Sequence, residues 1–163
     1  TKKYYSELRH WKENEMGYLN IQSTKPQTLA YALSDSPLGL AAWIAEKFYS
    51  WTDCNGIPEK AVSFDRILSN ICLYWFTGSI GSSFWPYYDR HQQGYSISPT
   101  KPVLVPVGYA SFPKEITKPP KSIADKTYKN IISWSNMKKG GHFAALECPK
   151  LLAQDICSFY SKV

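Results

Sequence analysis

A histidine placed behind paired glycines, Lys139-Gly140-Gly141-His142-Phe143, is where chemistry is easiest to locate in this sequence. Glycines at 140 and 141 let the backbone enter conformations that a side chain forbids, so an imidazole can stand on a sharp loop. Twenty-seven residues earlier, Glu115 follows another apolar run, Val103 to Gly108. Were the runs before Glu115 and His142 adjacent parallel strands, their C-terminal ends would lie side by side, where ligands bind in open α/β sheets. The carboxylate would then accept the imidazole N–H, fix its tautomer and leave the other ring nitrogen to act as a base. Each residue alone has a plainer reading: a surface histidine after a glycine turn, and a solvated loop carboxylate.

Such a pair needs a nucleophile. Ser79, in Thr77-Gly78-Ser79-Ile80-Gly81, precedes Glu115 and His142 in the order nucleophile, acid, histidine, which would suit a serine esterase. A nucleophile elbow follows a strand, however, and residues 64–75 have helical periodicity. Ser79 therefore reads as part of a helix break. The six aspartates (35, 53, 65, 89, 125, 155) fall at a helix cap, in loops or on helix faces, and none sits in an elbow.

The elements that must position these groups divide unevenly. Residues 4–16 suit a helix, Gly17 breaks it, and Tyr18 to Pro26 reads as loop before helical character resumes at 27–33. Asp35-Ser36-Pro37 is a start signal, with a capping side chain and Pro in the first turn. The helix it opens, to Phe48, gathers Leu40, Ala41, Ile44, Ala45 and Phe48 on one face. Residues 50–62 read as loop. Ser63 is placed to cap a helix that turns Phe64, Ile67, Leu68, Ile71, Cys72 and Trp75 inward, and residues 82–89 form another with a break at Pro86. A polar connection runs to Lys101.

The character then changes. Val103 to Gly108 has the pattern of a strand buried on both faces, 116–129 can hold a crossover helix, and 130–135 make a second strand. The last helix, from Pro149, is expected to bury Leu151, Leu152, Ile156 and Phe159. Two parallel strands cannot stand alone. They are expected to complete a larger sheet whose other members lie N-terminal to Thr1, in a longer protein of which this is the C-terminal part.

Composition narrows the classes. With 163 residues, 44% apolar and 20% charged, the chain fits one globular domain or slightly more. Aromatics reach 15%, enough for a large core or for a cavity that takes a lipophilic ligand, as in a non-catalytic binding module. The net charge of +6 comes from scattered lysines without a basic stripe, so nucleic acid is not an expected partner. Cys54, Cys72, Cys148 and Cys157 lack metal-ligand spacing, and Cys72 and Cys157 read as buried thiols on helix faces. No cofactor is implied. No apolar run is long enough to span a bilayer, and no secretory leader is recognisable.

Beyond these properties, the chain resembles the C-terminal part of the microsomal-type epoxide hydrolases, the insect juvenile-hormone epoxide hydrolases among them. The resemblance is carried by Gly17-Tyr18-Leu19-Asn20-Ile21-Gln22-Ser23-Thr24-Lys25-Pro26, by Asp35-Ser36-Pro37-Leu38-Gly39-Leu40-Ala41-Ala42 with Glu46-Lys47-Phe48, and by Leu73-Tyr74-Trp75-Phe76-Thr77-Gly78. It continues in Phe112-Pro113-Lys114-Glu115 and Gly140-Gly141-His142-Phe143-Ala144-Ala145. It implies an α/β-hydrolase fold, with 1–100 as a helical lid and 101–163 as the end of the core. It also implies ring opening of a lipophilic epoxide by an aspartate, two tyrosine donors to the epoxide oxygen, and hydrolysis of the resulting ester by a histidine-activated water. Position by position, Tyr18 and Tyr87 match the tyrosines, with Tyr88 a near-equal rival to Tyr87. Glu115 matches the acid and His142 the base. The aspartate and the family's membrane anchor, which would place the protein at the endoplasmic reticulum or microsomal membrane, are expected in polypeptide preceding this chain. The fragment alone is expected to be inactive.

Overall fold

Proline and glycine punctuate the first part of the chain into short helices. In the computed structural model, which describes residues 2–94, 99 and 101–163, these are α1 (Lys2–Glu15), α2 (Gly17–Thr24), α3 (Pro26–Asp35) and α4 (Pro37–Trp51). Pro26 and Pro37 stand in the first turns of α3 and α4, where a missing N–H costs nothing. Ser36 caps α4 as the sequence predicts, its Oγ accepting from the Gly39 N–H at 2.9 Å. The loop expected from Tyr18 to Pro26 is instead helix α2. Its local propensity is weak, but packing against α7 (Trp85–Gln92) and α3 buries Gln22 and Ser23, and tertiary context overrides propensity.

Helix α5 (Phe64–Thr77) ends at Gly78, whose φ of 61° is the left-handed C-cap glycine favours. The short α6 (Ile80–Ser83) leads into α7. Pro86 lies in the first turn of α7, so it opens the helix instead of breaking it. The Ser63 side chain makes no capping bond, and Phe64 and Leu68 are exposed, contrary to expectation. Ile67 alone of α5 is buried, in a cluster with Phe48 and Val62. A second cluster joins α3, α4 and α6 through Ala30, Leu33, Leu40 and Ile80 with Phe84. The polar connection expected up to Lys101 lies largely outside the described residues.

The remainder is a parallel pair, β1 (Val107–Ser111) and β2 (Ile131–Asn136), joined by a crossover that contains α8 (Lys121–Thr127). Tyr109 faces Trp134 and Ser111 faces Asn136 in the register. The first strand starts later than its apolar run suggests. Val103 makes an isolated parallel bridge to Tyr128, but Pro106 has no N–H to give a ladder, so continuous pairing begins only after it, and Leu104 and Val105 are left exposed. Neither strand is fully buried. After the glycine–histidine loop come α9 (Ala144–Glu147) and α10 (Pro149–Tyr160). Phe159 packs so closely on Gly108 that a Cβ there would lie 2.7 Å from its ring. Ile156 and Cys157 are exposed and Cys72 is half-buried, correcting three expected burials. Helix α10 packs on one side against two strands, which cannot cover its remaining faces. The buried thiols are Cys54 and Cys148.

Candidate active site

The two strand tips continue toward each other past the ladder. Lys114 N–H donates to the Gly140 carbonyl at 3.0 Å, which sets Glu115 beside the glycine–histidine loop. Glu115 Oε1 and His142 Nδ1 lie 2.8 Å apart. Burial pushes the Glu115 carboxyl up, but the His142 hydrogen bond and charge, the Ile116 N–H and Lys118 outweigh it and hold the acid below its ordinary value. An ionised carboxylate can only accept, so Nδ1 carries the proton and Nε2 is the basic nitrogen. This is the arrangement that the spacing of the two residues anticipated.

The glycines serve two different ends. Gly140 has φ of 104°, and a Cβ there would also meet Cys148 Sγ at 2.6 Å. Gly141 has no such backbone conformation; it is small because α4 ends against it. A Cβ at 141 would lie 2.5 Å from the Trp51 carbonyl oxygen, to which the His142 N–H donates at 2.8 Å. Two carboxylates fasten this junction. Asp53 Oδ2 accepts from Gly140 N–H at 3.0 Å, and Glu147 accepts from both Asp53 N–H at 2.8 Å and Phe143 N–H at 3.0 Å. Sequence reasoning missed Trp51, Asp53 and Glu147. The bonds that join Trp51 and Asp53 to the glycine–histidine loop and to Glu147 span most of the chain, and no local spacing marks them.

Trp51 also links His142 to a cavity. Its ring meets the imidazole edge-on at 5.2 Å and Tyr18 at 5.1 Å, and Tyr18 in turn meets Tyr87 at 6.1 Å. Tyr18, Tyr87, Trp51 and Phe143 help line a cavity of about 280 Å³ between the helices, with Phe48, Ile80 and Phe84 among its apolar walls. Burial and the neighbouring Tyr87 push the Tyr18 phenol up to about 12; burial and Tyr74 raise that of Tyr87. Both phenols therefore stay protonated and can donate at neutral pH. Tyr88, the rival candidate, packs on Trp85 at 6.0 Å and does not line the cavity.

The structure thus brings Glu115 to His142 and Tyr18 to Tyr87, and the two pairs meet across Trp51. Ser79 stands apart in character. It follows a helix, and its hydroxyl accepts from Thr77 at 2.8 Å, so it has no elbow. No aspartate among the described residues is hydrogen-bonded to this pair: Asp53 holds the loop, Asp89 takes Gln93, Asp125 takes Lys121 and Asp155 takes Ser135. Among the described residues, no group of three or more His, Cys, Asp or Glu side chains is arranged for a metal. No helix among them is long and apolar enough to cross a membrane.

Relatives resolve what such a half-site belongs to. No family model matches the chain. It is 44% identical to epoxide hydrolase 1 of Oryctolagus cuniculus, across 99% of this chain and 36% of that protein. It is 41% identical to juvenile hormone epoxide hydrolase 2 of Ctenocephalides felis, across 91% and 34% respectively. The solved epoxide hydrolase of Aspergillus niger superposes with a TM-score of 0.79 at 31% identity, across 99% of this chain and 40% of that one. The chain belongs to the epoxide hydrolase family. Its helices and strand pair are the corresponding portion of that family's α/β-hydrolase fold. The chain spans about a third of the length of the curated epoxide hydrolases it matches.

Proposed function

We propose that this chain carries the hydrolytic base, its orienting acid and the oxygen donors of an enzyme that converts a lipophilic epoxide and water into a vicinal diol. Residues 1–100 form the lid and 101–163 the end of the core. An aspartate from polypeptide outside this sequence attacks a ring carbon, the C–O bond breaks, and Tyr18 and Tyr87 donate hydrogen bonds to the oxygen as it becomes an alkoxide. Water then attacks the ester carbonyl while His142 Nε2 takes its proton. Collapse of that intermediate breaks its bond to the substrate oxygen; the imidazolium proton and the proton of the added hydroxyl pass to the two substrate oxygens, so the diol leaves and the carboxylate and neutral imidazole are restored. Glu115 holds the tautomer throughout and stabilises the imidazolium.

The observation that carries this reading is the 2.8 Å Glu115–His142 pair, connected by ring contacts to a cavity that two protonated phenols line. The aromatic walls favour an apolar epoxide, either a terpenoid of the juvenile hormone kind named for several relatives or a xenobiotic. A microsomal membrane is the proposed location. In the intact enzyme, His142→Gln should form the ester and fail to release diol, leaving protein heavier by one substrate in intact-mass spectra. If no adduct accumulates while diol release is lost, His142 is not the hydrolytic base. Tyr18→Phe combined with Tyr87→Phe should abolish adduct formation itself.

A further inference from the structure

Lys47 takes part in no step described above, yet its ammonium sits at the joint of the ring path. Nζ lies 4.8 Å from the centroid of Tyr18 and 5.0 Å from that of Trp51. It pairs with Glu46 Oε2 at 2.6 Å; the lysine side chain retains 17% of its exposure and the glutamate 49%. Ser50 also donates to that carboxylate. The glutamate is therefore the better hydrated and better screened of the two. A desolvated ammonium is attracted to the faces of aromatic rings, the indole most strongly. One cation shared between two rings fixes both.

The two rings flank different chemistry. Trp51 edges the imidazole of His142, whereas Tyr18 lines the cavity beside Tyr87. A cation over a phenol draws electron density from the ring and polarises its O–H, strengthening donation to an oxygen that is gaining charge. Burial makes Tyr18 a weak acid, so such help has value at this position.

We propose that Lys47 is a positioning residue for ring opening, its ammonium clamping Tyr18 against Trp51 and sharpening the phenol as a donor to the epoxide oxygen. This rests on the reading of Tyr18 given above. Single-turnover measurements on the intact enzyme, which separate ester formation from ester hydrolysis, test it with K47M, K47Q, K47R, Y18F and the double variant K47M/Y18F. Either neutral variant should slow ester formation about tenfold and hydrolysis less than about threefold, the scale of a partly buried cation–aromatic contact. Arginine should restore most of the rate, and K47M should add no further loss in the Y18F background. Should K47M fail to fold, K47Q carries the same comparison. Slow ester formation in Y18F together with wild-type rates in the neutral Lys47 variants overturns this inference and leaves the proposed function standing. Equal loss in both steps without rescue by arginine marks a purely structural lysine and also overturns it. Wild-type ester formation in Y18F removes the donor, and the role of Lys47 falls with it.

Discussion

Replacing Gly141 by alanine tests the junction that aims the base. The added Cβ would lie 2.5 Å from the Trp51 carbonyl oxygen and 3.1 Å from Thr52 Cα, both backbone atoms without a rotamer to yield. Ordinary contact begins at 3.4 Å, so the loop and the end of α4 must part by about 0.9 Å. The same interface holds the His142 N–H bond to Trp51 and the Asp53 and Glu147 bonds. Overpacking of this kind costs about 1–3 kcal/mol, and stretching one buried hydrogen bond adds about 1 kcal/mol. The destabilisation expected from denaturant titration of the intact protein is therefore roughly 2–4 kcal/mol. A displacement near 1 Å at a catalytic base costs on the order of 100-fold in the step it serves. Single-turnover kinetics should show ester hydrolysis slowed by that factor while ester formation, which does not use His142 in the proposed mechanism, falls far less. An alanine variant with wild-type stability and hydrolysis would refute the claim that the close approach of α4 sets the imidazole.

Other perturbations separate the remaining groups. Glu115→Gln should slow ester hydrolysis roughly 100-fold, the scale of losing a charge-assisted hydrogen bond, with ester formation nearly unchanged. Because the Glu115 carboxyl sits below its ordinary 4.5, the stability it contributes is fully present above about pH 4.5 and fades as pH falls through the lower folded value. Urea midpoints measured down through that window should decline more steeply in wild type than in the glutamine variant; parallel curves would contradict the assignment. Tyr87→Phe should slow ester formation roughly 100-fold, whereas Tyr88→Phe should stay within about twofold. The reverse ranking would exchange their roles. A thiol reagent should label exposed Cys157 first, with Cys54 and Cys148 protected until unfolding; early labelling of Cys148 would contradict its burial behind Gly140.

The meeting of Glu115 and His142 was legible because it needs only local signals: two apolar runs, each followed by a polar loop, with enough chain between them for one crossover. The parallel pairing and the helix between the strands followed from the same pattern. The strand boundary was not, because the apolar character of Val103 to Val105 outweighed Pro106, whose missing N–H separates the lone Val103–Tyr128 bridge from the continuous ladder. Helix α2 was hidden for another reason. Gly17-Tyr18-Leu19-Asn20 has little helical preference of its own, and α7, far along the chain, supplies the surface that makes it a helix. Burial on α5 and α10 was overestimated since periodicity identifies a face and cannot say whether anything covers it. The tyrosines entered through resemblance alone. Nothing in the spacing of residues 18 and 87 says that their rings meet, and which of Tyr87 and Tyr88 lines the cavity depends on the direction in which α7 presents its side chains. The Asp53–Gly140 bond, between residues 87 apart, lies beyond any local reading.

The junction itself carries a consequence for how the site accommodates substrates. The last carbonyls of a helix have no intrahelical donors. Helix α4 ends without a glycine cap, and the Trp51 carbonyl finds its donor in the N–H of His142. One hydrogen bond thus satisfies a helix terminus and fixes the backbone of the base. The same tryptophan lines the cavity with its indole and meets the imidazole in a near-perpendicular ring contact. Any movement of the α4 terminus therefore displaces the cavity wall and the base together, drawing the imidazole from Glu115. Tyr18 and Tyr87 meet by an edge contact where α2 packs on α7, and Tyr18 also touches Trp51, so the phenols are tied to the same junction. Substitutions that enlarge the site from the α4 side should accordingly lose ester hydrolysis, read in single-turnover kinetics, before they gain bulkier substrates.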